Sequence, residues 1–213
     1  MRDFLWRGVS LVRGDAKVAW RDVCCPLKEG GLGIKRIEEW NKAALVKHIW
    51  TLLTNDSSIW GSWVKTCLLK GHSFWSVPVP SHPSWSWRNI LHARETVRGS
   101  MVKAIGNDRD SDLWMDYWLP EGKRPCDLLS LRQLTATSHP WNAKVSDIIE
   151  GNIWNFPLSP DEDVQRMWNL VSFQPQVEQQ DSWVWTKHAS GKCMIKSAWE
   201  QSRRPSPPMM VVG

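Results

Sequence analysis

The sequence contains one tyrosine and four phenylalanines in 213 residues, and it has no uninterrupted apolar run long enough to cross a bilayer. A membrane-spanning helix needs about 20 mostly apolar residues, so we expect no membrane partner. The N-terminal stretch MRDFLWRGVSLVRGD has neither an extended apolar core nor a small-residue cleavage site. This composition argues against a secretory signal peptide.

The cysteines show no pairing pattern. They are five, an odd number, and irregularly spaced: Cys24, Cys25, Cys67, Cys126 and Cys193. Disulfide frameworks are typical of secreted chains with an even number of regularly spaced cysteines. We therefore expect reduced thiols and an intracellular location, in the nucleus or the cytoplasm.

Metal-ligating motifs are also missing. Zinc needs about four Cys or His ligands in closely spaced pairs. The densest group has no C-x-x-C or H-x-x-x-H pair and is interrupted by prolines: Cys67, His72, His82 and His92. His188 and Cys193 form half of a site at most. We expect no metal and no cofactor.

The acidic residues do not form a recognisable catalytic set. Two-metal nucleases and polymerases need carboxylates that converge on one site. The densest group brackets a predicted turn, where acidic side chains serve solubility: Asp108, Asp110, Asp112 and Asp116. A second group suits the positive end of a helix N-terminus: Asp161, Glu162 and Asp163.

Tryptophan, by contrast, is abundant, with 17 residues, and the basic charge is concentrated in the first half. Residues 1–103 carry 16 Lys/Arg and 8 Asp/Glu, a net +8, whereas residues 104–213 carry 11 and 14, a net −3. Tryptophan serves either as core packing or as a stacking platform for bases or sugars. The basic half favours a polyanionic partner, although scattered charge is also typical of a solvated surface.

Helical spacing of apolar residues predicts three helices in the first half. The first covers residues 37–53, with one apolar face: Ile37, Trp40, Ala44, Leu45, His48, Ile49 and Leu52. The second has a core stripe at the same spacing: Trp60, Trp63, Val64, Cys67 and Leu68. The third begins at Ser84 or Ser86 and aligns a further set: Trp87, Ile90, Leu91 and Arg94.

Two hairpins and shorter helices are predicted for the second half. One hairpin joins residues 101–106 to 112–118, with Trp114 and Trp118 on one face, and the other spans residues 183–195. A helical turn is expected at 145–150, and a helix capped by Ser159 is expected to end near 171. The predicted fold class is therefore α+β, with a mostly helical N-terminal half and two small β-hairpins in the C-terminal half.

The segments divide into five predicted parts. Residues 1–35 form a tail that follows a missing domain, and residues 36–118 form a Trp-rich helical region plus a hairpin. Residues 119–144, which contain three prolines, are predicted to be a linker. Residues 145–200 form a small α+β region, and residues 201–213 an unstructured tail.

The segment from Lys28 to Ile34 contains three glycines that favour a turn. Its backbone amides could bind an anion, but it lacks the Lys-Ser/Thr of a P-loop and the spacing of a dinucleotide-binding motif. We interpret it as a structural turn.

A series of short motifs runs from residue 4 to about residue 200. They are FLW-G from Phe4, KVAW from Lys17 with VC from Val23, EGGLGI from Glu29, WNKAAL from Trp40, SFW from Ser73, SWSWR from Ser84, IGN from Ile105, LWMDYW from Leu113, and SGK from Ser190 leading to KSAW from Lys196. In this order they resemble the region that follows the reverse transcriptase of plant LINE-type non-LTR retroelements.

This resemblance implies a polymerase upstream, a Cys/His zinc-binding segment downstream, and in many such reading frames a ribonuclease H beyond it. The zinc-binding segment is expected to be truncated here. The Asp-Asp pair that holds the metal ions of the polymerase has no counterpart, because no Asp-Asp dipeptide occurs in the chain. No catalytic or metal-binding residue can be carried over, so we expect the chain not to be an enzyme by itself.

Three functional hypotheses follow. The chain is a non-catalytic retroelement region that binds RNA or DNA weakly and non-specifically, a decayed fragment without activity, or a Trp-rich binding module for another ligand such as a glycan. The nucleic-acid-binding candidates are the basic residues around the glycine turn and two neighbouring tryptophans: Lys17, Arg21, Lys28, Lys35, Arg36, Trp85 and Trp87. Trp75 is a further candidate for an exposed ring, and four lysines come second: Lys42, Lys47, Lys65 and Lys70.

Overall fold

A computed structural model describes residues 18–54, 57–106, 111–176 and 178–203. Its helices are α1 (Trp20–Val23), α2 (Ile37–Thr54), α3 (Ile59–Trp63), α4 (Trp85–His92), α5 (Arg94–Val97), α6 (Pro125–Leu128), α7 (Leu131–Ala136), α8 (Glu162–Trp168) and α9 (Ile195–Ser202). Three 3-10 turns lie at Leu27–Glu29, Pro120–Gly122 and Val145–Ile148, and a π-helical segment, Val64–Leu69, continues α3. Within this part of the chain, no helix has the length and apolar character to cross a membrane.

The α+β class is confirmed, as are two small two-stranded antiparallel sheets. The strands are β1 (Met101–Ala104), β2 (Ile149–Glu150), β3 (Ile153–Trp154) and β4 (Ser182–Trp185). Only β2 and β3 form a hairpin, whereas β1 pairs with the distant β4, with Met101 opposite Trp185.

Both predicted hairpins are therefore wrong in their pairing. Residues 112–118 form no strand paired with β1, although the Lys103 amide donates to Tyr117 O at 2.7 Å, and residues 193–195 do not pair with β4. The strand predicted at residues 101–106 is present as β1, but its partner lies about 80 residues away in sequence, where local patterning gives no information.

Helix α2 is the centre of the first core cluster. It occupies the predicted range, but its buried face is rotated from the predicted stripe, because Ile37 is 71% exposed and Trp50 is 8% exposed. Trp50 contacts Trp185 of β4, with ring centroids 6.5 Å apart. Helix α9 packs along α2, so the C-terminal part of the chain covers a face that the N-terminal part alone leaves open.

Helix α3 departs from its predicted stripe for a backbone reason. The segment Val64–Leu69 winds as a π-helix, which has i→i+5 rather than i→i+4 hydrogen bonds. Val64 and Leu69, five residues apart, are buried, whereas Cys67 is exposed and Trp63 is half-exposed. The stripe expected for an α-helix is wrong because the winding changes inside it.

Helix α4 agrees with its prediction. The Ser84 hydroxyl accepts a hydrogen bond from the Trp87 amide at 3.2 Å and caps the helix. The expected face, Trp87, Ile90 and Leu91, is buried in the first cluster.

A second core cluster is built around Trp114 and Trp118, which are almost completely buried. Trp168 of α8 lies near both, at ring centroid distances of 6.3 Å and 6.4 Å. Helix α8 starts two residues later than predicted, with Asp161 rather than Ser159 as its N-cap. The two tryptophans lie in one cluster, but the strand on which they were predicted to share a face is absent from residues 112–118.

Residues 119–144, predicted to be a linker, contain α6 and α7 and contribute Leu119, Leu129 and Leu134 to the second cluster. Three residues of the predicted region 145–200 belong to the first cluster rather than the second: Trp185, Cys193 and Trp199. The five-part division of the chain stays a prediction.

Candidate nucleic-acid interface

The glycine turn is a closed backbone structure. The amides of residues 29 to 33 all donate to backbone carbonyls, including Leu32 N to Val23 O at 2.9 Å and Gly33 N to Cys25 O at 2.9 Å. A Cβ on Gly31 would collide with the carbonyl of Cys25, so only glycine fits there. Because these amides are occupied, they offer no donors to a phosphate, and the structural interpretation of the turn is supported.

Several cations of the predicted binding set are neutralised by nearby carboxylates. Arg21 Nε lies 3.3 Å from Asp22, and Arg36 pairs with Glu38 at 3.1 Å and Glu39 at 3.5 Å. Such exposed pairs stabilise the fold by at most about 1 kcal/mol, but they lower the local positive potential. Lys17 lies outside the described residues.

The remaining lysines keep the surface basic. Lys28 and Lys42 are exposed, and neither forms an ion pair within the described ranges. Lys35 is held over the Trp40 ring, with its Nζ 3.8 Å from the ring centroid. Across residues 18–42 and Arg203, six basic residues face four acidic ones, a net charge of +2.

Arg203 at the end of α9 connects the turn to the rest of the chain. Its guanidinium forms an ion pair with Glu29 and lies over the Trp199 ring, 5.4 Å from the centroid. The ion pair lowers the pKa of Glu29, chiefly through the hydrogen bond from Arg203. Local sequence patterns do not predict this ion pair, because Arg203 lies 174 residues from Glu29.

The two predicted tryptophans on α4 differ in exposure. Trp85 is 75% exposed, as a stacking residue must be, whereas Trp87 is 6% exposed and packs in the first cluster. Trp75, the third candidate for an exposed ring, is also 6% exposed and contacts Tyr117 at a centroid distance of 4.6 Å. The prediction of an exposed ring is wrong for Trp87 and Trp75, because both project into the cluster around α2.

An apolar groove lies between α3 and α4. We call it the Trp63 groove, because Trp63 lines it with 53% of its surface exposed. Its volume is about 360 Å³, and its other lining includes Trp60, Leu68, Pro83, Trp87 and Ile90, with His82 and Ser86 as polar members. Helical spacing predicts a core position for Trp63, so the sequence alone does not indicate this groove.

A separate polar cavity of about 550 Å³ lies beside β1 and is lined by both acidic and basic residues. Lys103 Nζ donates to Asp116 at 3.1 Å, and both side chains are less than 10% exposed. Asp112 lies 3.5 Å from Lys144, and burial together with the Asp116 carboxylate raises the pKa of Asp112. The expectation that these carboxylates only solubilise a turn is wrong for Asp112 and Asp116.

The histidines and thiols singled out by sequence lie apart from one another. Among the described residues, no group of three or more His, Cys, Asp or Glu side chains is arranged to hold a metal ion. Cys193 is buried, and burial raises the pKa of its thiol to about 11, so it stays protonated at neutral pH.

Comparison with known proteins adds two plant relatives. The chain is 30% identical over 166 residues to an Arabidopsis thaliana protein named "Putative ribonuclease H protein", an alignment that covers 71% of this chain and 27% of that relative. It is 26% identical over 120 residues to an uncharacterized mitochondrial protein of the same plant, covering 56% of this chain and 78% of that relative. No protein-family model matches the chain. No solved structure matches it either.

Proposed function

We propose that the chain is a non-catalytic region of a plant non-LTR retroelement polyprotein that binds nucleic acid weakly and without sequence preference. The ordered motifs from residue 4 to about residue 200 carry the retroelement assignment. The similarity to a much longer plant protein with ribonuclease H in its name supports it, because such reading frames often continue into a ribonuclease H.

The surface around the glycine turn supports the binding part of the proposal. Lys28, Lys35 and Lys42 are exposed there, and the turn is rigid because its amides are hydrogen-bonded. A net charge of +2 over residues 18–42 and Arg203 is modest. Because exposed lysines recognise charge rather than base edges, the proposed contacts are with phosphates. Because the net charge is modest, the expected affinity is on the order of 10⁻⁴–10⁻⁶ M at physiological salt, as in non-specific binding.

A salt titration tests this proposal. Binding of the full chain to a labelled RNA 20-mer is followed by fluorescence anisotropy for the wild type and for the Lys28→Ala/Lys35→Ala/Arg36→Ala variant. Because Arg36 is already paired with Glu38 and Glu39, we expect the loss of about two phosphate contacts. The slope of log K against log salt then becomes about 1.4 less negative on a single strand.

The matched control removes the same net charge elsewhere, at Arg132, Lys187 and Lys192, which are all exposed. Its slope should stay close to that of the wild type. If the two triple variants behave alike, or if the wild type does not bind, the basic surface is only a solvated face and the binding proposal is wrong.

A further inference from the structure

The Trp63 groove has a feature that packing does not explain. Trp63 lies on α3 next to the buried Val64, yet 53% of its surface is open to solvent. Trp60, one turn earlier, is half-buried and contacts His48 at a centroid distance of 5.6 Å. The indole of Trp63 therefore forms an open aromatic wall above a floor of buried residues.

The size and chemistry of the groove suit a flat, aromatic ligand. Its volume of about 360 Å³ lies within the range of pockets that bind small molecules, roughly 300–1,000 Å³. The hydroxyl of Ser84 is occupied by the Trp87 amide, whereas His82 and Ser86 are exposed at the edge. An apolar groove with a few polar groups at its rim matches a base, which has an apolar face and a polar edge.

The charge around the groove selects the class of partner. Residues 57–94, the segment that contains every residue lining the groove, include four basic residues and no Asp or Glu. These four basic residues lie outside the lining of the groove itself. Arg94 is engaged by the carbonyls of Phe74 and Val77, but Arg88 and Lys70 are exposed. A segment of net charge +4 without any carboxylate is complementary to a polyanion rather than to a cationic or mixed-charge partner.

We propose that the Trp63 groove is a base-binding site for single-stranded nucleic acid, in which the Trp63 indole stacks on a base while the basic segment that contains the groove attracts the phosphates. The inference rests on the proposed function and specifies its substrate class. A single strand can turn an unstacked base toward the groove, whereas the bases of a duplex are paired and stacked on one another.

The experiment compares a labelled single-stranded 20-mer with the duplex of the same sequence, using the full chain at low salt. Trp63→Ala is expected to weaken single-strand binding about tenfold and to leave duplex binding within a factor of two, since stacking acts on single strands alone. Trp63→Phe should recover most of the loss. Trp141→Ala is the matched control, because Trp141 is 48% exposed and does not line the groove.

A second variant keeps the test independent of folding. Ser86→Glu places a carboxylate at the rim of the groove, and at the second position of α4 that charge favours the helix N-terminus. We expect single-strand affinity to fall at least fivefold while the thermal midpoint stays unchanged or rises. Circular dichroism confirms the helical content of each variant.

The outcomes separate the two proposals. If the Lys28/Lys35/Arg36 variant weakens binding but neither groove variant does, nucleic acid binds elsewhere and the groove inference is overturned while the proposed function stands. If polyglutamate competes as well as the single strand and its binding also depends on Trp63, the groove binds acidic peptides and the inference is again overturned. If the wild type binds no nucleic acid, both are wrong.

Discussion

The burial of individual side chains decides between the two uses of tryptophan that the composition allows, core packing and stacking on a ligand. Eight of the 16 tryptophans within the described residues are buried, which supports core packing as the main use of this residue. Trp118 donates its indole N–H to Leu113 O at 2.9 Å, but the N–H groups of Trp75, Trp168, Trp185 and Trp199 have no acceptor among the described residues. These four indoles therefore contribute to the core through ring packing rather than through a hydrogen bond to another described residue.

The buried pair of Lys103 and Asp116 leads to a prediction at this scale. Lys103→Met should lower the free energy of unfolding by about 3–5 kcal/mol, because it leaves a buried carboxylate without its cation. The measurement is urea denaturation at neutral pH. Lys103→Met/Asp116→Asn should recover a large part of the loss, since the amide oxygen can still accept from the Asp112 amide.

The control for this prediction is Arg166→Met. Arg166 is 69% exposed and pairs with Glu162 and Asp163, so its removal should cost less than about 1 kcal/mol. A Lys103 variant as stable as the Arg166 variant would show that the pair is hydrated in solution.

At the scale of the elements, local capping signals located the start of α4 but placed the start of α8 two residues too early. Ser84 was proposed as a helix start, and it caps α4 through the Trp87 amide. The signals failed where an element is defined by something other than α-helical spacing. The π-helical winding of Val64–Leu69 leaves Cys67 exposed, and no residue type in that segment predicts a π-helix.

The cap of α4 can be tested directly. Ser84→Ala should lower the free energy of unfolding by about 1 kcal/mol, within the range of about 0.5–2 kcal/mol for lost N-caps. Ser86→Ala, in the same helix and without a hydrogen bond to a backbone amide, should be nearly neutral. Thermal unfolding followed by circular dichroism measures both. An equal loss for the two serines would mean that Ser84 does not cap α4 in solution.

At the scale of the whole molecule, several large apolar side chains of the described residues remain exposed. Ile59 is 90% exposed, Leu27 76%, Trp85 75% and Ile37 71%. Contiguous exposed apolar surface is typical of interaction sites or of association. We expect the purified chain to bind a hydrophobic dye and to self-associate, which dye fluorescence and analytical ultracentrifugation measure.

A double variant identifies the surface responsible. Ile37→Glu/Ile59→Glu removes two exposed apolar residues at the first positions of α2 and α3, where an acidic residue favours the helix. It should reduce both dye binding and association. Thr66→Glu/Asn142→Glu adds the same charge at exposed polar positions and should have little effect. A monodisperse, dye-silent wild type would contradict the expectation.

Local sequence patterns were sufficient for features that depend on neighbours along the chain. The range of α2, the start of α4, the turn at Gly30–Gly33 and the α+β class all follow from spacing, capping and glycine conformation within a few residues. The basic surface near the turn was also visible in the sequence, because Lys28 and Lys35 are close to it in the chain.

The tertiary structure decided everything that depends on residues far apart in sequence. The pairing of β1 with β4 and the ion pair of Arg203 with Glu29 form because the C-terminal segment packs on the N-terminal half of the chain. The exposure of Trp63 beside the buried Trp87 depends on how α3 and α4 pack, which neither helix shows by itself. Spacing along one helix cannot show which face another segment will cover. Whether a given side chain is buried in the core or exposed for binding depends on which face is covered. The Trp63 groove is therefore evident only in the folded chain.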